Sequence, residues 1–116
     1  MENKFTFENT FKFGWEGLEG FAYNSKEDFA NASTAIFNVS KKHGRCKSLV
    51  SDRVYYVLEG TGEFIIEDKK ISVKATDVII VPKNTEYDYM GTMKLFLVHT
   101  PAFDPSQEVD FEGLQS

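Results

Sequence analysis

Cysteine is almost absent from this sequence, and long runs of apolar residues are missing altogether. Cys46 is the single cysteine, which excludes a disulfide framework within one chain and a metal site built from cysteines alone. No segment approaches the roughly 20 consecutive apolar residues that a membrane-spanning helix needs. Because no apolar stretch follows Met1, we also expect no signal peptide. The sequence therefore predicts a cytoplasmic protein that makes no contact with membranes.

Positive charge is also in short supply. The chain has 13 Lys and Arg residues against 18 Asp and Glu residues, which gives a net charge of −5. Nucleic acids and anionic membranes attract basic surfaces, so we expect neither as a partner. With 41% hydrophobic and 27% charged residues, the composition is that of an ordinary globular protein. A length of 116 residues predicts one domain with a single core.

Apolar and polar residues alternate along most of the chain, which is the pattern of half-buried β-strands. N-terminal strands are expected within residues 4–23, around Phe5 and Phe7 and again from Phe11 to Trp15. The predicted strands of the core, residues 32–101, are 33–39, 53–58, 64–66, 71–74, 78–81, 86–90 and 94–99. The glycine-containing segment 59–63 indicates a hairpin turn. Short strands with frequent turn signals are typical of an all-β sandwich or barrel.

Two segments depart from this pattern. Residues 25–30 (SKEDFA) are the one piece of sequence that favours a helix. Residues 102–116 carry several acidic residues and no basic residue, which predicts a solvated C-terminal extension. In that extension, Phe103 and Phe111 are the residues expected to pack against the barrel or a neighbouring subunit.

Two stretches of the chain resemble the two sequence motifs of the cupin superfamily. Residues 51–64 (SDRVYYVLEGTGEF) resemble the first motif, and residues 76–87 (TDVIIVPKNTEY) resemble the second. Residues 98–105 (VHTPAFDP) are similar to the end of many small single-domain cupins. The resemblance runs from about Ile36 to Pro105, with both motifs in order. It implies an antiparallel jelly-roll β-barrel, the cupin double-stranded β-helix, as a single domain over residues 1–116.

The same resemblance argues against a metal centre. Metal-binding cupins use two histidines one residue apart, then a glutamate, then a later histidine. On this sequence those positions fall on Cys46, Ser48, Arg53 and Tyr87. Arg53 carries a permanent positive charge that repels a metal ion. We therefore expect neither a metal nor any other cofactor.

The chain has two histidines, and neither matches a motif position. His43 lies in the basic stretch Lys41–Lys47 and is expected to be solvent-exposed, as most charged loops are. Alternatively, this loop lies at the barrel mouth and attracts an anionic ligand. His99 ends a predicted strand and is expected to be a hydrogen-bonded edge residue, with a catalytic role as the alternative. Cys46 is expected to be a small buried hydrophobe, with a reactive thiolate as the alternative.

A ligand cavity inside the barrel is the function that remains. Alternate residues of a strand share one face, so Arg53, Tyr55 and Val57 face inward if the cupin register holds. The predicted ligand-binding residues are Cys46, Ser48, Arg53, Tyr55, Phe64, Tyr87, Tyr89 and His99. A buried guanidinium needs a partner. For Arg53 that partner is either a carboxylate of this chain (Asp52, Glu86 or Asp88) or an anionic ligand.

The outer face of the barrel strands is also apolar. Val54, Tyr56 and Leu58 alternate with the inward residues, and residues 78–81 are apolar throughout. Apolar residues on both faces predict burial on both sides. We expect a homodimer that packs sheet against sheet; the alternative is that the N-terminal strands of the same chain cover this face.

Three functions fit these observations. The first is a metal-free small cupin that binds a small polar or anionic molecule without transforming it. The second is a metal-independent enzyme of the sugar isomerase or epimerase type, in which an inward histidine acts as base and a tyrosine as acid. The third is a metal-dependent oxygenase or isomerase. The sequence favours the first and leaves open whether any reaction is catalysed.

Overall fold

The computed structural model of the chain describes residues 1–113, and nine β-strands form its framework. They are β1 (Phe11–Trp15), β2 (Leu18–Ala22), β3 (Ser33–Val39), β4 (Cys46–Ser48), β5 (Asp52–Ile66), β6 (Lys69–Lys74), β7 (Val78–Val81), β8 (Tyr87–Thr100) and β9 (Glu108–Asp110). Two 3₁₀ turns, Phe7–Asn9 and Pro105–Gln107, are the only helical segments in this range. No helix of residues 1–113 is long and apolar enough to cross a membrane.

The strands pair antiparallel and curl into a barrel. One run of neighbours is β1-β2-β3-β8-β4-β9, while β5 pairs with β6, β7 and β8. The 15-residue β5 and the 14-residue β8 pair from Asp52 opposite Thr100 to Ile66 opposite Tyr87. Both long strands also pair with other strands at their free edges, which bends the sheet on itself. The predicted all-β jelly-roll fold is confirmed.

The hairpin predicted at residues 59–63 is wrong, because β5 continues through it. The strand has a register shift between Val57 and Glu59, and Gly60 there has a φ of 87°. A Cβ on Gly60 would collide with the Thr92 carbonyl of β8. The glycines therefore allow two bent strands to approach closely instead of reversing the chain. In the same way, the two strands predicted over 86–90 and 94–99 are one strand, bent at Gly91, which has a φ of 135°.

The N-terminal region is strand only in part. Residues 11–15 form β1 as predicted, but Phe7–Asn9 is a 3₁₀ turn in which the Thr10 hydroxyl donates to the Phe7 carbonyl at 2.7 Å. The helix predicted over residues 25–30 is also absent. There the Ser25 amide donates to Asp28 Oδ2 at 2.9 Å, so a side chain closes a local turn in place of a helix.

The C-terminal segment belongs to the barrel wall, and the described part of it is not the solvated extension that composition predicted. In β9, Glu108 pairs with Ser48 and Asp110 pairs with Cys46 of β4. The preceding turn is capped by Asp104, whose side chain accepts from the Ser106 amide at 3.0 Å. Residues 114–116 of that predicted extension lie outside the described residues.

The two faces of β5 differ as the alternation predicts. Arg53, Tyr55 and Val57 are buried, whereas Tyr56 and Leu58 are 36% and 38% exposed. On β7, Val78 and Ile80 are 55% and 62% exposed. The N-terminal strands extend the sheet beyond β3 and leave this outer face open, so the alternative in which they cover it is wrong, and the expected homodimer stays a prediction.

Candidate functional site

One end of the barrel holds a partly open cavity of about 570 Å³. Its wall is aromatic and includes Phe13, Trp15 and Phe37 from strands β1 and β3. The polar residues at its inner end are His43, Arg53, His99 and Glu108. A wider and more open groove of about 640 Å³ runs over β1 and β2. We place the candidate site in the 570 Å³ cavity because the buried ionisable side chains gather there.

Strand register sets a row of polar side chains at one level of the barrel. His99 on β8 lies opposite Ser33 of β3 on one side and opposite Arg53 of β5 on the other. All three are buried, at 3% to 7% exposed. Residues directly opposite in a sheet point to the same face, so this row faces the cavity. Two residues further along these strands, Leu97 lies opposite Ala35 and Tyr55. These three residues are buried and belong to the hydrophobic core.

His43 is buried at the cavity and only 3% exposed, so the solvent exposure expected for it is wrong. Three hydrogen bonds draw its loop inward. Its amide donates to the Tyr89 carbonyl at 2.8 Å, the Trp15 indole donates to its carbonyl at 3.1 Å, and the Gly44 amide donates to Asp88 Oδ1 at 2.8 Å. Its neighbours Lys42 and Arg45 form ion pairs with carboxylates instead. The loop therefore places His43 at the site, while the charges of Lys42 and Arg45 are neutralised by carboxylates and do not attract an anionic ligand.

The hydrogen bond of the His43 ring fixes its tautomer. Nδ1 lies 2.9 Å from the Gly44 carbonyl oxygen and 3.7 Å from Cys46 Sγ. Because a carbonyl cannot donate and is the nearer partner, Nδ1 carries the proton. Burial lowers the pKa of His43 to about 4, so the ring is neutral at pH 7. The lone pair of the ring is then on Nε2. The ring stacks on Tyr89, with centroids 4.6 Å apart, and Trp15 meets it edge-on at 5.4 Å.

Arg53 is held by groups of this chain. Its Nη2 forms an ion pair with Glu108 of β9, and its Nη1 donates to the Tyr87 hydroxyl. Within the described residues, Arg53 Nε and Glu108 Oε2 are buried without a hydrogen-bond partner. The expected partners Asp52, Glu86 and Asp88 bind elsewhere, to the Lys83 amide, to Arg45 and to backbone amides respectively. Glu108 was missed because the strand that carries it was predicted to be a solvated extension.

A closed layer of tyrosines lies behind His43 and Arg53. The hydroxyls of Tyr55 and Tyr87 are 2.6 Å apart, and Tyr89 stacks on Phe64 at 4.8 Å. Burial raises the pKa of Tyr55 to about 12 and raises those of Tyr87 and Tyr89 as well. The phenols are therefore neutral and act as hydrogen-bonding groups.

The eight residues predicted to bind a ligand separate into three groups. Arg53 and His99 line the cavity. Five others form the buried layer behind it: Cys46, Tyr55, Phe64, Tyr87 and Tyr89. Ser48 lies outside both, where its hydroxyl accepts from the Ser51 amide at 2.9 Å in the turn before β5. The alternation of Phe11, Phe13 and Trp15 was the one sequence signal for the aromatic wall.

Comparison with known proteins identifies the family. The sequence profile described as "Cupin domain" matches residues 50–99. The chain belongs to the cupin superfamily. The chain is also 30% identical over 83 residues to the uncharacterized protein MJ1618 of Methanocaldococcus jannaschii, and the match covers 70% of this chain and 66%, just under two thirds, of that relative.

Solved structures of other proteins resemble this cupin over nearly its whole length. Pac13, a nucleoside dehydratase, is 29% identical with a TM-score of 0.87, covering 95% of this chain and 91% of that chain. Variants of Streptomyces PAC13 with a histidine changed to glutamine, or one of two tyrosines changed to phenylalanine, were solved with uridine. Oxalate decarboxylase from Bacillus subtilis is 12% identical with a TM-score of 0.83, covering 92% of this chain and 31% of that chain. That likeness shows the fold alone.

The side chains of this cupin do not fit the metal site of metal-binding cupins. Within residues 1–113, no group of three or more His, Cys, Asp or Glu side chains is placed to hold a metal ion. At the position of the metal-binding glutamate, Arg53 contributes a permanent cation, and it pairs with Glu108. The late histidine position holds Tyr87, a neutral phenol bound to that cation.

Proposed function

We propose that this cupin binds an uncharged nucleoside in the cavity and eliminates water from its sugar, with His43 as the base and without a metal. The observation that carries the proposal is the His43 ring at the cavity, neutral and fixed by Gly44 with its lone pair on Nε2. This is the inward histidine that the sequence did not reveal. Its presence favours an enzyme over a protein that only binds.

The cavity suits a planar ring attached to a polar group. Aromatic side chains such as Phe13, Trp15 and Phe37 provide surfaces on which a nucleobase stacks. A volume of about 570 Å³ lies within the range of small-ligand sites. The likeness to a nucleoside dehydratase, and to uridine complexes of the same protein, supports a nucleoside as the ligand class.

Charge favours a neutral ligand over the anion expected from the sequence. Among the described residues that line the cavity, Arg53 is the one permanent cation, and Glu108 already pairs with it. Asp28 adds a negative charge at the wall. A phosphate or carboxylate would therefore lose its hydration without gaining an unpaired cation.

The reaction follows from the weak basicity of His43. A base whose pKa is about 4 removes a proton only from an acidic carbon, so the substrate needs a sugar carbonyl beside the C–H bond. That bond breaks, its proton passes to Nε2, and its electron pair moves onto the carbonyl. The C–O bond of the β-hydroxyl then breaks as a C=C bond forms, and the hydroxyl leaves as water with the proton from His43.

The test combines binding with product analysis. We expect calorimetry to show that uridine binds one site per chain, and mass spectrometry to show loss of one water from uridine oxidised to a 5′-aldehyde or 3′-ketone. His43→Asn keeps a donor for the Gly44 carbonyl but removes the base, so turnover should fall by at least about 100-fold while uridine still binds. Lys41→Gln, on the exposed part of the same loop, should behave as wild type. Binding without product would leave only the binding function, and no uridine binding would contradict the proposal.

We also propose that two copies of this cupin pair through the open outer face. Tyr56, Leu58, Val78 and Ile80 form an exposed apolar patch on neighbouring strands. Sedimentation at micromolar concentration should show a dimer, and Ile80→Lys should shift it to monomer, whereas Thr92→Lys on another exposed position should not. A wild-type monomer would remove the basis for this interface. The cytoplasmic location and the absence of a nucleic-acid partner stay predictions from the sequence.

A further inference from the structure

The second histidine of the cavity has no role in the elimination described above. His99 lines the cavity, is 7% exposed, and lies between Ser33 and Arg53 in the polar row. Within residues 1–113, its one hydrogen-bonding contact is Nδ1 with the Ser33 hydroxyl at 3.5 Å, and the ring of Phe103 packs beside it at 5.5 Å. A buried polar ring with one occupied nitrogen needs an explanation.

Ser33 decides which nitrogen of His99 carries the proton. The Ser33 oxygen accepts a hydrogen bond from the Phe103 amide at 2.8 Å. Its own proton then needs an acceptor, and His99 Nδ1 is the acceptor within reach. With Nδ1 as that acceptor, the lone pair lies on Nδ1 and the proton on Nε2. Burial also lowers the pKa of His99, so the ring is neutral.

We propose that His99 is the hydrogen-bond donor that recognises the ligand, with Ser33 as the residue that positions its ring and fixes its tautomer. The two histidines of the cavity are then complementary. His43 presents a lone pair because Nδ1 donates to a carbonyl, while His99 presents an N–H because Nδ1 accepts from a hydroxyl. The ligand must offer an uncharged oxygen acceptor to His99 Nε2, such as a ring carbonyl or a sugar oxygen. This assignment of a ligand contact rests on the proposed function.

The tautomers can be measured without any ligand. Nitrogen-15 NMR of the histidine rings distinguishes a protonated nitrogen from one with a lone pair, and the chain has only two histidines. His43→Asn leaves His99 as the single histidine, and His99→Gln leaves His43. We expect His99 to be protonated on Nε2 and His43 on Nδ1 at pH 7. A proton on Nδ1 of His99, or a charged ring, would overturn the proposal whether or not uridine binds.

Two substitutions of His99 distinguish its contact with Ser33 from its proposed contact with the ligand. His99→Gln places an amide N–H near the position of Nε2, while His99→Asn keeps an acceptor for Ser33 but cannot reach the ligand. Calorimetry with uridine should show His99→Gln within about threefold of wild type and His99→Asn weaker by at least about tenfold, as expected for one lost hydrogen bond. Thr100→Ser, on the exposed neighbouring position, is the matched control. Equal affinity of the two variants would contradict a donor role.

Ser33→Ala tests the positioning role. In the wild-type background it should weaken uridine binding and shift the His99 proton signal toward a mixture of tautomers. In the His99→Gln background it should have no further effect on affinity, because glutamine has no tautomer to fix. An equal loss in both backgrounds would show that Ser33 acts on the fold alone. If wild type fails to bind uridine, the nucleoside proposal fails, while the NMR result still decides whether His99 presents an N–H.

Discussion

His43 is an ionisable side chain that folding keeps neutral, and this has a consequence for stability. Burial lowers its pKa from 6.5 to about 4, with a smaller effect in the same direction from Arg53. Between those two values the unfolded chain binds a proton that the folded chain does not. The free energy of unfolding must therefore rise with pH in this window.

We expect His43→Asn to remove this dependence. As pH falls from 7 to 4, wild type should lose about 3 kcal/mol more stability than the variant, which corresponds to the difference of pKa between folded and unfolded chains. Urea unfolding at several pH values measures it. His99 also has a lowered pKa, so the variant should keep part of the dependence. Parallel curves for wild type and variant would mean that His43 is not buried.

Arg53 and Glu108 form an ion pair with side chains only 4% and 11% exposed. Removing one partner of a buried pair leaves an uncompensated charge, which costs about 3–5 kcal/mol. Arg53→Met and Glu108→Leu should each destabilise the protein without any ligand, and the double variant should cost less than their sum. Urea unfolding of the four proteins measures the coupling. Additive losses would show that the pair does not form.

The sequence predicted the faces of individual residues better than their partners. Alternation along β5 correctly placed Arg53 and Tyr55 inward, because strand geometry is local. It could not show that Glu108, which lies 55 positions later, reaches Arg53. The charges around His43 indicated a solvated loop, but three hydrogen bonds from distant residues turn its ring inward.

At the scale of elements, the two long strands depend on a close crossing at glycine. Gly60 has a φ of 87°, and a side chain there would collide with the backbone of β8. Gly113 has a φ of 69°, but no atom of the described residues 1–113 lies within 4 Å of where a Cβ would stand. A substitution at either glycine would therefore strain the backbone, but only at Gly60 would the new side chain collide with β8.

We expect Gly60→Ala and Gly113→Ala to differ in cost. Gly113→Ala should cost about 1 kcal/mol for the left-handed backbone alone. Gly60→Ala should cost at least about 2 kcal/mol more, because the backbone of β8 must move. Chemical denaturation of both variants gives the two values. Equal losses would argue that β5 and β8 do not cross closely at residue 60.

Turn signals in the sequence were correct where the chain reverses and wrong where it bends. Residues 67–68, in the gap between the predicted strands 64–66 and 71–74, reverse the chain between β5 and β6. Residues 59–63 contain two glycines and residues 67–68 contain none, yet the pairing of β5 with β8 continues past residues 59–63. Whether such a segment turns or continues as a strand depends on the strand that pairs with it, and a short stretch of sequence does not show which strand that is. The short β9 was missed for the same reason. Its acidic composition indicated a solvated segment, whereas its pairing with β4 makes it a strand.

At the scale of the whole molecule, the jelly roll was predictable and the site was not. The fold follows from strand alternation and from two motifs within residues 51–87. The cavity combines β1, the loop that holds His43, the end of β8 and the C-terminal β9. These segments meet only once the barrel has closed, so their combination is not visible in any one stretch of sequence.

The central claim is that this cavity binds an uncharged nucleoside, and Trp15 reports on it directly. Trp15 is the only tryptophan of the chain, and it lies in the cavity wall against His43. The measurement is a titration of its fluorescence with uridine and, separately, with uridine 5′-monophosphate. We predict a saturable change with uridine and at least about tenfold weaker binding of the monophosphate, because the phosphate would meet Asp28 and Glu108 without a free cation. No saturable change with uridine, or tighter binding of the monophosphate, would contradict the account.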